Sequence, residues 1–223
     1  MNVLIVFAHP EPKSFNGALF NTAADTLNAA GHTVVTSDLY PVDFDPRSSR
    51  ENFLEQHNSD FFKPQLEERY ATETQGFVPA LESEIRKLEN ADLVIFQFPL
   101  WWFGLPAILK GWVDRVFAMG RAYGSGRIYD KGFFRGKRAM LSLTTGGFQP
   151  SYVTGGEEGD ILAILRPIHR GTFLFTGFSV LAPAIHYGPA RVDESQRREW
   201  LDAWANRLRS IESEQPIEVG PYA

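Results

Sequence analysis

The stretch ADLVIFQFPLWWFGLPAILKGWVDRVF, Ala91–Phe117, decides the fold. Asp92–Phe98 is a short and nearly continuous apolar run, the mark of a strand covered on both faces in a parallel sheet. Pro99 and Gly104 interrupt it. From Leu105 the apolar residues return with a different period: Leu105, Ile108, Leu109, Trp112, Val113 and Val116 fall at i, i+3, i+4, i+7, i+8 and i+11, one face of an amphipathic helix. A buried strand followed at once by a helix that can lie over the sheet is the repeating unit of an α/β fold.

The same alternation extends in both directions. Val3–Ala8 is another fully apolar run. Ser14 can cap the segment after it, in which Leu19, Phe20, Ala23, Leu27 and Ala30 recur at helical spacing until Gly31. His32–Leu39 reads as a second strand, Leu81, Ile85 and Leu88 mark a helix, and Lys137–Thr144 makes a fourth strand. A helix is expected from about Asp160 to Phe175, a fifth strand over Phe178–Ile185, and a final helix striped by Trp200, Leu201, Trp204, Leu208 and Ile211. Right-handed crossovers then place helices on both faces of a doubly wound, five-stranded parallel sheet. Residues 1–223 carry no internal repeat or low-complexity linker and read as a single domain. The interval 40–78 is long for an ordinary connection. Its Phe53, Phe61, Phe62 and Tyr70 among many charges fit either a lid or subunit contact, or a surface excursion with its own small cluster.

Composition narrows the function classes. The chain has 223 residues, 22 basic and 27 acidic, for a net charge of −5, and the basic residues are scattered. A nucleic-acid groove or a polybasic membrane patch is not expected. With no cysteine, disulfides, iron–sulfur clusters and thiol nucleophiles are excluded. The five scattered histidines offer no spacing for a zinc site, so no metal is expected. The N-terminus lacks a basic region before its short apolar run, and Leu93–Leu109 is too interrupted to span a bilayer. A soluble, cytoplasmic protein is expected. Eighteen Phe, seven Tyr and five Trp suit a flat apolar pocket, or simply extra core.

In an open parallel sheet, ligands bind beyond the carboxyl ends of the strands at the switch point. No G-x-G-x-x-G comes after the first strand, Gly132–Lys137 lacks Walker spacing, and strand three ends in Phe98-Pro99 rather than an acidic residue. Strand one leads instead into His9-Pro10-Glu11-Pro12-Lys13-Ser14-Phe15-Asn16. A helix beginning near Phe15 would turn unpaired amides and its positive dipole end toward the strand tips, a seat for phosphate that His9, Ser14 and Asn16 could complete. The same residues could also be only a cap and a strand-end histidine. After strand three, Pro99-Leu100-Trp101-Trp102-Phe103-Gly104 sets large aromatics at a strand tip, where a planar ligand or a lid could cover them. After strand four, Thr144-Thr145-Gly146-Gly147 offers hydroxyls and backbone free of side chains. An anion seat beside two ring seats suits a phosphate-bearing planar cofactor such as a flavin.

The segments AHPEPKSFN (Ala8–Asn16), SDLY (Ser37–Tyr40), Ala91–Phe117, YDKG (Tyr129–Gly132) and LTTGG (Leu143–Gly147) resemble the NAD(P)H:quinone reductases of the DT-diaphorase family, flavoproteins of flavodoxin-like fold. The resemblance runs from Leu4 to about Ile211 and implies a strand order 2-1-3-4-5. It implies FAD rather than FMN, NAD(P)H as electron donor, a quinone or related acceptor, and a homodimer with each active site at the subunit boundary. Hydride would pass from nicotinamide to flavin N5 and on to the quinone in a ping-pong cycle. By the same resemblance His9, Ser14, Phe15 and Asn16 hold the pyrophosphate region. Pro99, Leu100, Trp102 and Phe103 border the ring system, with Thr144, Thr145, Gly146 and Gly147 along its other edge. Arg197 approaches the FAD tail, Trp102, Phe103, Tyr123 and Phe175 form the nicotinamide and quinone slot, and Tyr152 is the catalytic tyrosine, acting with the Gly146 and Gly147 amides on charge at the flavin.

Two departures stand out. The family pairs its tyrosine with a histidine six residues on, whereas Tyr152 is followed by Glu158, and an ionised carboxylate opposes negative charge on a reduced flavin. A second pocket tyrosine is replaced by Ser125. The chain also ends at Ala223 without the C-terminal extension of the longer animal members, which leaves room for a smaller donor such as reduced nicotinamide riboside. Some relatives instead act as regulatory subunits of potassium-efflux antiporters or as one-electron carriers. An exposed apolar docking face would mark the first, and a stabilised semiquinone the second.

Overall fold

The computed structural model describes residues 1–222. Four parallel strands carry the fold: β1 (Asn2–Phe7), β2 (Thr33–Asp38), β3 (Leu93–Pro99) and β4 (Arg138–Thr145). β3 and all of β4 after Arg138 are buried, as expected for central strands covered by helices on both faces. The helices are α1 (Phe15–Ala29), α2 (Pro64–Thr74), α3 (Pro79–Asn90), α4 (Ala107–Val116), α5 (Ile161–Ile168) and α6 (Glu194–Arg209). The sheet order is β2-β1-β3-β4-β5, the doubly wound order expected from the sequence.

The fifth position of the sheet is not the single strand expected over 178–185. It is divided into β5 (Ser179–Val180) and β6 (Ala184–Tyr187), both paired in parallel with β4. Pro183 lies in the gap, and without an N–H it cannot donate to the ladder. The helix expected from Asp160 to Phe175 is likewise interrupted. α5 gives way at His169–Leu174 to a wider π-helical turn, just after Pro167, which has no amide to offer the preceding turn.

One core lies on each face of the sheet. On one, Trp112 of α4 meets Phe96 of β3 edge-on at 5.7 Å between ring centroids, and its Nε1 donates to Glu84 of α3 at 2.8 Å. On the other, α1 and α6 pack together through Leu19, Leu27, Trp204 and Leu208. The excursion 40–78 has its own aromatic cluster, Phe53 with Phe62 and Phe77 at 6.3 and 5.7 Å, and that cluster joins the α3–α4 core. Phe61 stays on the surface. Pro46 comes so close to α4 that a Cβ on Gly111 would lie 2.3 Å from its carbonyl oxygen, which explains a glycine inside that helix.

Candidate functional site

The sheet reverses its winding between β1 and β3, and the carboxyl ends of β1, β3 and β4 converge there. Ala8 N–H donates to the Gln97 carbonyl at 3.0 Å, and Leu100 N–H to the Thr144 carbonyl at 2.8 Å. Above these tips opens a cleft of about 490 Å³, lined by His9, Ser14, Phe15, Asn16, Pro99, Leu100, Trp101, Thr144, Thr145 and Gly146, with Pro189, Ala190 and Arg197. The size is ordinary for a cofactor cleft. Residues beyond three different strands, far apart in sequence, are thus brought together.

The first wall is the start of α1. Ser14 caps it, its Oγ accepting the Gly17 N–H at 3.1 Å, and the Ser14 carbonyl accepts the Ala18 N–H at 3.0 Å. Those two bonds leave the Phe15 and Asn16 amides for a ligand, at the end where the helix dipole favours an anion. Gly17 is required: a Cβ there would lie 2.0 Å from the Pro12 carbonyl oxygen, because the 9–14 loop folds tightly back onto the helix. His9 Nδ1 lies 3.0 Å from both the amide nitrogen and the carbonyl oxygen of Glu11, which ties the ring to the 9–14 loop and leaves Nε2 outside that contact.

The wall is locked to the strand tips by a buried relay. Gln97 Nε2 donates to Asn16 Oδ1 at 2.9 Å, and Asn16 Nδ2 donates to Thr144 Oγ1 at 2.8 Å. Asn16 is only 4% exposed, so its side chain fixes the cleft more than it reaches into it. Thr145 Oγ1 donates to the Gly147 carbonyl at 2.9 Å, and Gly188 N–H donates to the Thr145 carbonyl at 3.0 Å, drawing the 189–191 turn toward the cleft. Arg197 Nη1 donates to the Pro189 and Val192 carbonyls at 3.2 and 2.6 Å, bracing that turn from α6.

Several expected site residues lie outside this lining. Trp102 and Phe103 come after Trp101 in a tight turn, with φ of 50° and 57° closed by Gly104 N–H on the Trp101 carbonyl at 3.0 Å. Consecutive left-handed conformations are uncommon for aromatic residues. Trp102 is 97% and Phe103 49% exposed, and of the three aromatics after β3 only Trp101 lines the cleft, its ring centroid 6.1 Å from that of His9. Tyr152 is buried against Tyr187, 5.7 Å away, and its ring edge packs on Gly147, where a Cβ would come within 3.1 Å. Glu158 is folded back toward that loop, its N–H on the Ser151 carbonyl at 2.9 Å. Tyr123 and Phe175 form a separate pair, ring centroids 5.9 Å apart, with Tyr129 5.5 Å from Phe175. Burial and the nearby Glu68 charge push the Tyr123 hydroxyl above the usual phenol range, against a lowering contribution from Gln65.

Sequence reasoning missed Gln97, Trp101 as a lining group, Pro189 and Ala190. Gln97 carried a signal, being the one polar side chain within an otherwise apolar strand. The Pro189–Ala190 turn carried none, since its place depends on the division of the fifth strand position.

A doubly wound sheet of order 2-1-3-4-5 with a polar cleft over its switch point is the flavodoxin-like arrangement, and residues 1–208 match the family described as flavodoxin-like fold. Within it the chain is 47% identical over 220 residues to the mouse ribosyldihydronicotinamide dehydrogenase [quinone], covering 98% of this chain and 95% of the relative. It is 43% identical over 219 residues to the rat NAD(P)H dehydrogenase [quinone] 1, covering 98% of this chain and 80% of that one. The structure of a Klebsiella pneumoniae protein assigned provisionally as a quinone reductase superposes with a TM-score of 0.94 at 41% identity, over 97% of this chain and 87% of that one. The chain therefore belongs to the NAD(P)H:quinone oxidoreductase family and is an oxidoreductase. Among the described residues no helix is long and apolar enough to cross a membrane.

Proposed function

We propose that the protein reduces quinones by two electrons at the expense of NAD(P)H or a smaller reduced nicotinamide, using FAD held in the cleft between α1 and the tips of β3 and β4, as a cytoplasmic homodimer. The observation that carries this is the start of α1. Two amides left free for a ligand, the His9 ring held by the 9–14 loop and a rigidly braced Asn16 form an anion seat, and apolar residues after β3 and small ones after β4 continue from it. That donor set fits a phosphate-bearing planar cofactor. Held by these residues, such a flavin would supply two-electron chemistry at N5 between a reduced nicotinamide and a quinone in a ping-pong cycle.

The residues then divide by task. The Phe15 and Asn16 amides, with His9 Nε2 and Ser14, hold phosphate oxygens. Pro99, Leu100 and Trp101 flank the ring on one side, and Thr144, Thr145 and Gly146 on the other. Arg197 braces the turn at the far end of the cleft and extends toward the adenosine part of FAD. The exposed Trp102–Phe103 turn supplies a flat apolar surface for nicotinamide or quinone. Tyr123 and Phe175 lie outside the lining of their own chain's cleft, which fits a slot completed by a second copy. Gly146 and Gly147 backbone amides and the Tyr152 hydroxyl stabilise negative charge as the cofactor is reduced. Glu158 tunes that charge from the same loop.

The test begins with the chromophore. Purified protein is denatured and the released cofactor weighed, with FAD expected. The protein is then reduced anaerobically in stopped flow by NADH, NADPH and reduced nicotinamide riboside, and reoxidised by a quinone. Parallel double-reciprocal plots are expected. Colourless protein that binds no flavin on reconstitution overturns the proposal, whereas FMN in place of FAD overturns only the choice of cofactor. Replacing Glu158 by Gln separates the effect of its charge from that of its shape.

A further inference from the structure

The excursion 40–78 reaches the Tyr123 loop through helix α2, where two side chains converge on the backbone of Met119. The Glu68 carboxylate accepts the Met119 N–H at 2.7 Å. One turn later Thr72 Oγ1 lies 2.8 Å from the Glu68 carbonyl and 3.2 Å from the Met119 carbonyl, its proton shared between them. Residues at i and i+4 on one helix face thus engage both backbone groups of Met119. Glu68 is 7% exposed, and burying a carboxylate is costly, so its presence here calls for a specific partner. Met119 is that partner.

The loop so gripped is closed on itself. Gly120 N–H donates to the Tyr123 carbonyl at 2.7 Å, and Ala122 N–H to the Ala118 carbonyl at 2.9 Å. Gly120 has a φ of 94°, and a Cβ there would meet Thr72 at 3.2 Å. From the other side Arg121 is held by Glu82 and Glu89 of α3 at 3.0 and 2.6 Å. Tyr123 leaves this turn with its ring against Phe175. The turn thus connects the Met119 backbone directly to the Tyr123–Phe175 pair.

We propose that Glu68 and Thr72 are positioning residues that set the width of the acceptor slot through Met119, so that α2 helps decide which quinones fit. This rests on the proposed function, in which Tyr123 and Phe175 wall that slot.

Glu68→Ala, Glu68→Gln, Thr72→Val and, as a reference, Tyr123→Ala are prepared as flavin-loaded full-length proteins. For each, kcat and KM are measured with a small benzoquinone and a bulky naphthoquinone, and amide exchange is monitored over residues 118–124. Glu68→Ala is expected to change the ratio of kcat/KM between the two quinones by about tenfold, the scale on which a pocket discriminates small changes in size. The change should lie in KM, with faster exchange in the loop. Glu68→Gln keeps an acceptor for Met119 and should retain most of the wild-type ratio, while Thr72→Val should shift it in the same sense as Glu68→Ala. If Glu68→Ala does not fold, Thr72→Val carries the test. A Tyr123→Ala protein with a shifted ratio beside clamp variants without one overturns the role of Glu68 and Thr72 alone. An unchanged ratio in Tyr123→Ala itself overturns the placement of Tyr123, and with it this inference.

Discussion

Asn16 Nδ2 donates to Thr144 Oγ1 at 2.8 Å across 128 positions of sequence, tying the first turn of α1 to the end of β4. Gln97 completes the relay from β3. Both bonds are buried, so removing Asn16 strands the groups at each end. Asn16→Leu is expected to cost about 1–3 kcal/mol for each buried polar group left unpaired, read from urea unfolding. Flavin affinity should fall further than stability, because the anion seat loses its alignment. A double-mutant cycle with Thr144→Val measures the coupling, and an additive result would show that the contact does not hold the cleft together.

Of that relay, Asn16 and Thr144 were legible in the sequence because each lies just beyond or at the end of a strand, where ligands bind in this class of sheet. Gln97 was visible only as a polar interruption of an apolar run. The strand order and the cleft over the switch point came from the buried runs, the helical period and the family resemblance. The divided fifth strand position and the turn at Pro189 did not, since both depend on how β4 is paired rather than on their own composition. Trp101 and Trp102 are identical in type and adjacent. Only the left-handed turn at Trp102 and Phe103 determines that the first faces the cleft and the second faces outward.

Gly17→Ala isolates the 9–14 loop. In an exposed helix this change would stabilise by up to about 1 kcal/mol. Here the new Cβ would sit 2.0 Å from the Pro12 carbonyl oxygen, a backbone atom that moves only if the loop does. Helix content by circular dichroism should be retained while affinity of the apoprotein for flavin drops at least about tenfold, since phosphate contacts through Ser14 and the helix start require that loop geometry. Unaltered affinity would remove the loop from the phosphate seat.

Arg197 separates the two candidate flavins. It braces Pro189 and Val192 rather than the floor of the cleft, at the end where the adenosine part of FAD is expected. Arg197→Ala should weaken FAD binding by about 1.5–3 kcal/mol, the range for hydrogen bonds to a charged donor, and leave FMN binding within about twofold. Titration of the apoprotein with each flavin checks this. Equal losses for both would mean that the arginine acts only by holding the turn.

His169, at the junction between α5 and the π-helical turn, is expected to make stability depend on pH. It is buried, its Nε2 has no hydrogen-bond partner among the described residues, and burial holds its pKa at about 4 instead of the usual 6.5. Between those values the unfolded chain binds a proton that the native state refuses, so stability rises with pH across that window and is lost as pH falls through it. At 1.36 kcal/mol per unit, the full loss is roughly 3 kcal/mol. His186 is held at about 4 chiefly by burial as well, with the Arg207 charge adding to it, so the two histidines should act together. Urea midpoints measured from pH 7 down to 4.5 are expected to decline steadily, and His169→Gln should flatten that decline whatever it does to stability at pH 7. An unchanged slope would show that His169 gains its proton without opening the core.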